Sequence, residues 1–425
     1  MVNAIKVADP NLMALFPVGL EAVENPAARE PVGIPAKLPT VTQPRIRNRR
    51  IGTPRRRRAP AHFIRASSPE LERQVWELVS GQIDEIPKPP PGTRRVIIAA
   101  PESTGERRFC MQLGDALTQF GCEWCVCSEI VAHMAKKMNS NLFISSASWM
   151  RIRPPGSESG VISLLYVHTV YSAAPKNYQK IDAYDNFLFV RSGTDKLEEY
   201  FRKNGKNFRQ LKTYLTLAKT DFCDQPKKRI AFVGYLHDSR LRDELAKLFQ
   251  LLDETGYCDF YGPARVWQKK NLRSWKGEIP ARGPTDVQDV MEPAGIALLL
   301  HSKHHFESGS PVYRDFEALS SSCAIITEKT AFMVDNFGDC VLFIDADKPV
   351  EEIFAQIDAH VKWIHAHPEE AIEMARKSHQ RFCDKFSLEG ECEKILKFVD
   401  EIAAASSEAQ REGQASEQEI MVESF

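Results

Sequence analysis

An arginine and a glutamate three residues apart on a helix can hold both parts of a nucleotide, because a guanidinium neutralises phosphate and a carboxylate accepts paired ribose hydroxyls. The chain offers this pair as Arg314 and Glu317, inside the run His305-Phe306-Glu307-Ser308-Gly309-Ser310-Pro311-Val312-Tyr313-Arg314-Asp315-Phe316-Glu317-Ala318-Leu319. Residues at this spacing occupy neighbouring parts of one helical face. Gly309 is the turn before the helix, and Ser310 and Pro311 supply its cap and first residue. The amides of Ser310 through Tyr313 would then be open to an anion such as a diphosphate. Spacing alone favours an ordinary surface ion pair between Arg314 and Glu317.

Other positions could serve the same chemistry. Gly234 ends an apolar run and opens the loop Tyr235-Leu236-His237-Asp238-Ser239-Arg240, where Arg240 is either a phosphate contact or a plain helix-start arginine. Lys276, in Trp275-Lys276-Gly277, is a further donor-side candidate. On the acceptor side His168 follows Tyr166-Val167 at a strand end, where a neutral imidazole can orient or deprotonate a hydroxyl, or simply pack. Glu102 and Ser103 stand in the first strand-end loop.

Positioning these residues needs strands that alternate with helices. Val96 to Ala100, Trp124 to Cys127, Val161 to Val167 and Asn186 to Val190 are strand candidates. Helical spacing intervenes at Phe109, Leu113, Leu117 and Phe120, and again from Thr194 to Lys203. The pattern restarts at Arg229, with strands at Ile230 to Val233, Cys258 to Tyr261, Ile296 to Leu300, Ala324 to Thr327 and Val341 to Ile344. Three helices close the chain, from Pro349, Pro368 and Leu388. Two covered parallel sheets result, hence an α/β fold of two facing Rossmann-like domains. Ligands of such sheets collect beyond the carboxyl ends of the strands.

Before residue 93 the composition changes, and fourteen of the 26 prolines fall at or before Pro91. Residues 1–66 read as a disordered, proline-rich basic arm carrying Arg45, Arg47, Arg49, Arg50 and Arg55 to Arg58. Residues 67–92 hold a short helix, capped by Ser68 with Pro69 at its first position, and a linker. The acceptor domain is set at 93–226 and the donor domain at 227–404. Residues 405–425, with Glu408, Glu412, Glu417, Glu419 and Glu423, read as a disordered acidic tail.

The donor segment and its continuation Ala324-Ile325-Ile326-Thr327 resemble the donor-binding region of retaining GT-B glycosyltransferases, the glycosyltransferase group 1 relatives of the CgeB-like spore-maturation family. Gly309-Ser310-Pro311, Arg314 and Phe316-Glu317-Ala318 carry the likeness, which extends over about residues 229 to 402 through Phe232-Val233-Gly234, Asn336-Phe337-Gly338-Asp339, Pro368-Glu369-Glu370-Ala371 and Phe386-Ser387-Leu388. The resemblance implies transfer of a sugar from a nucleotide diphosphate donor, with retention, to a glycan or small-molecule hydroxyl. Many relatives place two glutamates eight residues apart, whereas the position eight before Glu317 is Gly309. Glu307 is the nearby substitute, displaced by two residues. A nucleotide-sugar epimerase, or a non-catalytic carbohydrate- or nucleic-acid-binding relative, stays open beside the transferase.

Composition sets limits on all three. At 425 residues the chain holds two domains plus extensions, and 43% hydrophobic with 27% charged residues is the balance of a globular enzyme. A net charge of -1 gives no overall field to gather nucleic acid. Cys122, Cys125 and Cys127 lack the second pair and histidines of a zinc site, and no aspartate-rich metal motif is present, so neither a metal nor a separate cofactor is expected. With no signal peptide, the ten cysteines point to reduced thiols in the cytoplasm. The arginine arm could add peripheral contact with an anionic membrane.

Overall fold

The computed structural model describes residues 63–101, 104–146, 154–156, 159–167, 181–189, 195–234, 245–279 and 285–423. His168, Arg240, Glu102, Ser103 and the arginines of the arm lie outside them.

Among the described residues the first half is built on seven strands: β1 Ile64–Ala66, β2 Arg95–Ala100, β3 Glu123–Ser128, β4 Leu142–Ser145, β5 Ile162–Val167, β6 Asn186–Phe189 and β7 Arg209–Lys212. Their order is β1-β3-β2-β4-β5-β6-β7, with only β1 antiparallel to its neighbour. Its helices are α1 Pro69–Val79, α2 Thr104–Thr118, α3 Glu129–Ala132 and α4 Asp195–Lys203. Every residue of β2 is buried, as a parallel strand covered on both faces requires. One face packs against α1, α3 and α4 through Val75, Val131, Leu197 and Phe201. The other packs against α2 through Phe109, Leu113 and Leu117. Gly114 has a local reason to be glycine, since a Cβ there would sit 2.6 Å from the Trp124 ring.

Among the described residues the second half has six parallel strands, β8 Arg229–Val233, β9 Cys258–Tyr261, β10 Trp275–Gly277, β11 Gly295–Leu299, β12 Ala324–Glu328 and β13 Leu342–Ile344, in the order β10-β9-β8-β11-β12-β13. The connections reverse direction between β8 and β11, which opens a crevice at their carboxyl ends. The helices are α5 Ala246–Thr255, α6 Ala264–Trp267, α7 Gln288–Ala294, α8 Lys303–Ser308, α9 Tyr313–Ser320, α10 Ala331–Phe337, α11 Val350–Ala366, α12 Pro368–Lys385 and α13 Leu388–Glu423.

Several boundaries differ from the sequence reading. Strand β1 begins inside the segment assigned to the arm, because Ile64 to Ala66 pair with Cys127 to Cys125. Strands β4, β7 and β10 are additional: Leu-Phe-Ile in β4 is a short apolar run, β7 is exposed at an edge, and β10 is three residues long. The final helix runs on to Glu423 through the assigned tail, whose alanines and glutamates are strong helix formers. It also changes sides. Leu388, Cys392, Ile395, Val399 and Ile402 pack with Phe109 and Leu117 of the first half, so α13 crosses back and fastens the halves together. The buried Glu391 carboxylate strengthens this crossing by accepting from Thr213 Oγ1 at 2.5 Å and from the Tyr214 amide at 3.2 Å. Ser68 caps α1 as expected, its hydroxyl accepting from the Leu71 amide at 3.1 Å. All ten cysteines are free thiols.

Candidate functional site

The segment after β11 walls the crevice of the second sheet. Ser302 caps α8, its hydroxyl accepting from the His305 amide at 3.3 Å. The helix lasts six residues and stops at Gly309, whose φ of 61° is left-handed. The Gly309 carbonyl accepts from the Phe332 amide at 3.1 Å, and a Cβ at Gly309 would lie 3.0 Å from that of Ala331. The turn is thereby pinned to α10.

Helix α9 starts two residues later than the Ser-Pro pair suggests. Val312 is its N-cap residue and Tyr313 its first helical one. The Val312 amide donates to Asp315 Oδ2 at 2.9 Å, so the helix caps itself there instead of leaving that amide for an anion. Ser310 and Pro311 are buried in the approach.

On α9 the Arg314–Glu317 pair forms, with Nη1 and Oε2 2.5 Å apart. It is no ordinary surface pair, since Glu317 is 4% exposed. Burial raises the Glu317 pKa, opposed by the positive charges of Arg314 and Arg108. Nη1 and Oε2 have each other as partner, while Tyr313 Oη is a buried polar atom that no hydrogen bond satisfies among the described residues. Burial, followed by the Glu317 charge, pushes the Tyr313 phenol well above its ordinary value.

The first half reaches this helix through α2. Arg108 forms an ion pair with Asp286 of the second half at 3.2 Å, both side chains nearly buried. Phe109 meets Tyr313 edge-on with ring centroids 6.5 Å apart. The site therefore lies where the two halves touch.

Beneath α9 is a cluster that the motif did not include. His301 Nε2 is 3.0 Å from Asp315 Oδ1, its Nδ1 is 3.1 Å from Glu328 Oε2, and its amide donates to the same Glu328 oxygen at 2.5 Å. All three residues are buried. His301 stands just past the carboxyl end of β11, and strand-end position was the signal that could have found it.

The remaining candidates fall elsewhere. Gly234 directly follows β8, its amide donating to the Tyr261 carbonyl at 3.1 Å and its carbonyl accepting from Trp267 Nε1 at 3.0 Å. Lys276 lies on the edge strand β10, with Nζ 3.4 Å from Asp259 Oδ1, so its charge is engaged on the neighbouring strand. Glu307 is exposed on α8. A shallow depression lined by Asp185, Asn186, Asn207, Phe208 and Arg209 sits at the amino ends of β6 and β7, opposite the strand ends where ligands of such sheets bind. Among the described residues no group of three or more His, Cys, Asp or Glu converges to hold a metal ion, and no helix is long and apolar enough to cross a membrane.

Two facing α/β domains, the first sheet mixed through β1 and the second all parallel in doubly wound order, and a C-terminal helix that returns to the first define the GT-B fold. No protein-family model matches the chain, and no curated protein matches it. Solved structures do. The trehalose-6-phosphate synthase OtsA superposes with a TM-score of 0.50 at 9% identity, covering 72% of this chain and 99% of that one. An α,α-trehalose-phosphate synthase (UDP-forming) from Burkholderia vietnamiensis gives 0.49 at 8%, covering 74% and 100%. Sucrose-phosphate synthase from Thermosynechococcus elongatus gives 0.47 at 12%, also covering 74% and 100%.

Proposed function

We propose that the chain is a glycosyltransferase that moves a sugar from a nucleotide diphosphate donor to a hydroxyl of a glycan or small molecule, with retention at the anomeric carbon. The observation that carries this reading is the group of buried polar atoms on α9 at the contact between the halves, Tyr313 Oη without a partner beside the buried Arg314–Glu317 pair. Buried polar atoms are rarely left without partners, and a ligand with hydroxyls and phosphate would supply them here. Glu317 accepts the ribose hydroxyls. Arg314, with Gly309 and Ser310 shaping the turn before it, faces the diphosphate and stabilises the charge that develops as the nucleotide leaves. Gly234, Arg240 and Lys276 belong to the same donor side in this reading, with Lys276 the weakest because Asp259 already engages it. His168 orients the acceptor hydroxyl, and Glu307 approaches the sugar. The transfer uses no metal ion or separate cofactor.

A nucleotide-sugar panel followed for both free nucleotide and acceptor mass gain tests the assignment. Release of nucleotide diphosphate together with a heavier acceptor is expected. Conversion of the donor with no acceptor present would assign an epimerase instead, and neither change across a broad panel would remove the enzymatic reading. The arm from Arg45 to Arg58 is proposed to touch anionic membrane from the cytoplasmic side. Its replacement by glutamine should lower sedimentation with anionic liposomes at matched ionic strength.

A further inference from the structure

We infer that His301 is a positioning residue for the donor site: gripped by a buried carboxylate on each side, its ring clamps the start of α9 to the end of β12 and so fixes how Arg314 and Glu317 face the cleft. The inference rests on the donor-site reading above.

The contacts define the protonation of the ring. A carboxylate oxygen only accepts, so each ring nitrogen has to bring a proton to its partner, and a neutral imidazole has one. The imidazolium satisfies both Asp315 and Glu328. Burial by itself would lower the pKa of His301, yet the charges and hydrogen bonds of the two carboxylates outweigh it and raise the value to about 10.

The contacts also define a mechanical path. Glu328 ends β12, which is paired on both sides by β11 and β13. From that anchor the ring reaches Asp315, whose second oxygen holds the Val312 amide and so fixes the first turn of α9. Asp315 lies between Arg314 and Glu317 in sequence, and at about 100° per residue it points inward while they point elsewhere. Rotation of α9 about its axis would carry both away, and the Asp315 bonds prevent that rotation. Three buried ionisable groups are a poor way to gain stability, since apolar packing of similar volume commonly does as well or better. Their value here is direction.

The full-length His301→Gln variant tests the role, with thermal unfolding as the control for folding. In the wild type, 15N spectra of histidine-labelled protein at neutral pH should show both nitrogens of this ring protonated. In the variant, amide exchange across residues 312–320 should speed up without ligand. Affinity for the best binder among UDP, GDP, ADP and CDP should fall about tenfold, the scale of one misplaced charged hydrogen bond. Should His301→Gln fail to fold, Glu328→Gln keeps an acceptor for the His301 amide and should shift both readouts the same way by less. A neutral ring in the wild type overturns the clamp. Unchanged nucleotide affinity in a folded variant overturns the role of His301 alone. Failure of all four nucleotides to bind the wild type overturns the donor-site reading and this role with it.

Discussion

The two halves share a doubly wound core and differ in the side chains at its switch point. In each, a central strand is flanked by a neighbour on the far side of a reversal in connection, β2 with β4 and β8 with β11. At the first pair the described residues of the strand ends are Ala100, Pro101, Ser145 and Ser146, which are small and neutral. At the second pair and the strand beside it stand His301 and Glu328, with Asp315, Arg314 and Glu317 on the helix above. The fold supplies a crevice twice, and among the described residues the charged strand-end groups stand at the second. The first half still contributes a cation, Arg108, but from helix α2 and across the boundary.

The largest effect that could break this contrast is expected at Arg314. Replacing it with methionine leaves the Glu317 carboxylate buried without its nearest cation, which should cost about 3 kcal/mol of folding stability, the lower end for a broken buried pair because Arg314 keeps 27% of its side chain exposed. The pH dependence has a definite sign. Glu317 already has a raised folded-state pKa, so its favourable contribution is complete below the unfolded value and is lost as pH rises through the folded one. Without Arg314 that rise grows. The deficit against wild type, measured by denaturant unfolding, should be smallest below about pH 4 and widen as the pH climbs. A deficit independent of pH would mean that Glu317 is not the group left stranded.

How far the site could be read from the sequence depends on which interactions are local. Arg314 and Glu317 lie on one helix, and their spacing alone sufficed to put them together. Their burial was not legible, because it depends on α2 and Arg108, about two hundred residues earlier in the chain. The same holds for His301, whose partners come from α9 and β12 and whose own segment carries no periodic signal. Strands such as Cys258–Tyr261 were readable as apolar runs, whereas Arg209–Lys212 has no apolar face and becomes a strand only by pairing with β6. The helix after Leu388 was legible as a helix, but not its crossing to the first half, which tertiary packing alone determines.

Next in size is Glu317→Gln, which keeps length and one acceptor but removes charge. If the carboxylate takes the ribose hydroxyls, nucleoside diphosphate binding should weaken by about 1.5 to 3 kcal/mol while the fold survives. Acceptor binding measured without donor should hardly change. Calorimetry with each ligand separates the two, and equal loss of both would make Glu317 an organiser of the whole cleft instead of a donor contact.

The smallest effect is expected at the matching place in the first half, and it sharpens the contrast from the other side. Ser146 follows β4 as His301 lies just past β11. It is fully buried, and its hydroxyl donates to the Ala99 carbonyl at 2.9 Å. That carbonyl also accepts from the Ser146 amide at 3.1 Å, so Ser146→Ala leaves no bare acceptor on β2. The neighbouring Cys110 loses a hydrogen-bond partner, but its thiol is held neutral by burial, which pushes its pKa up to about 12. The substitution should therefore cost about 1 kcal/mol of stability, the scale of the net hydrogen bonding of one neutral hydroxyl. Nucleoside diphosphate affinity should stay at the wild-type value, because the side chains proposed to hold the donor belong to the second half. A tenfold loss of that affinity in a folded Ser146→Ala protein would show that the first crevice holds part of the nucleotide, and the division of labour between the halves would have to be redrawn.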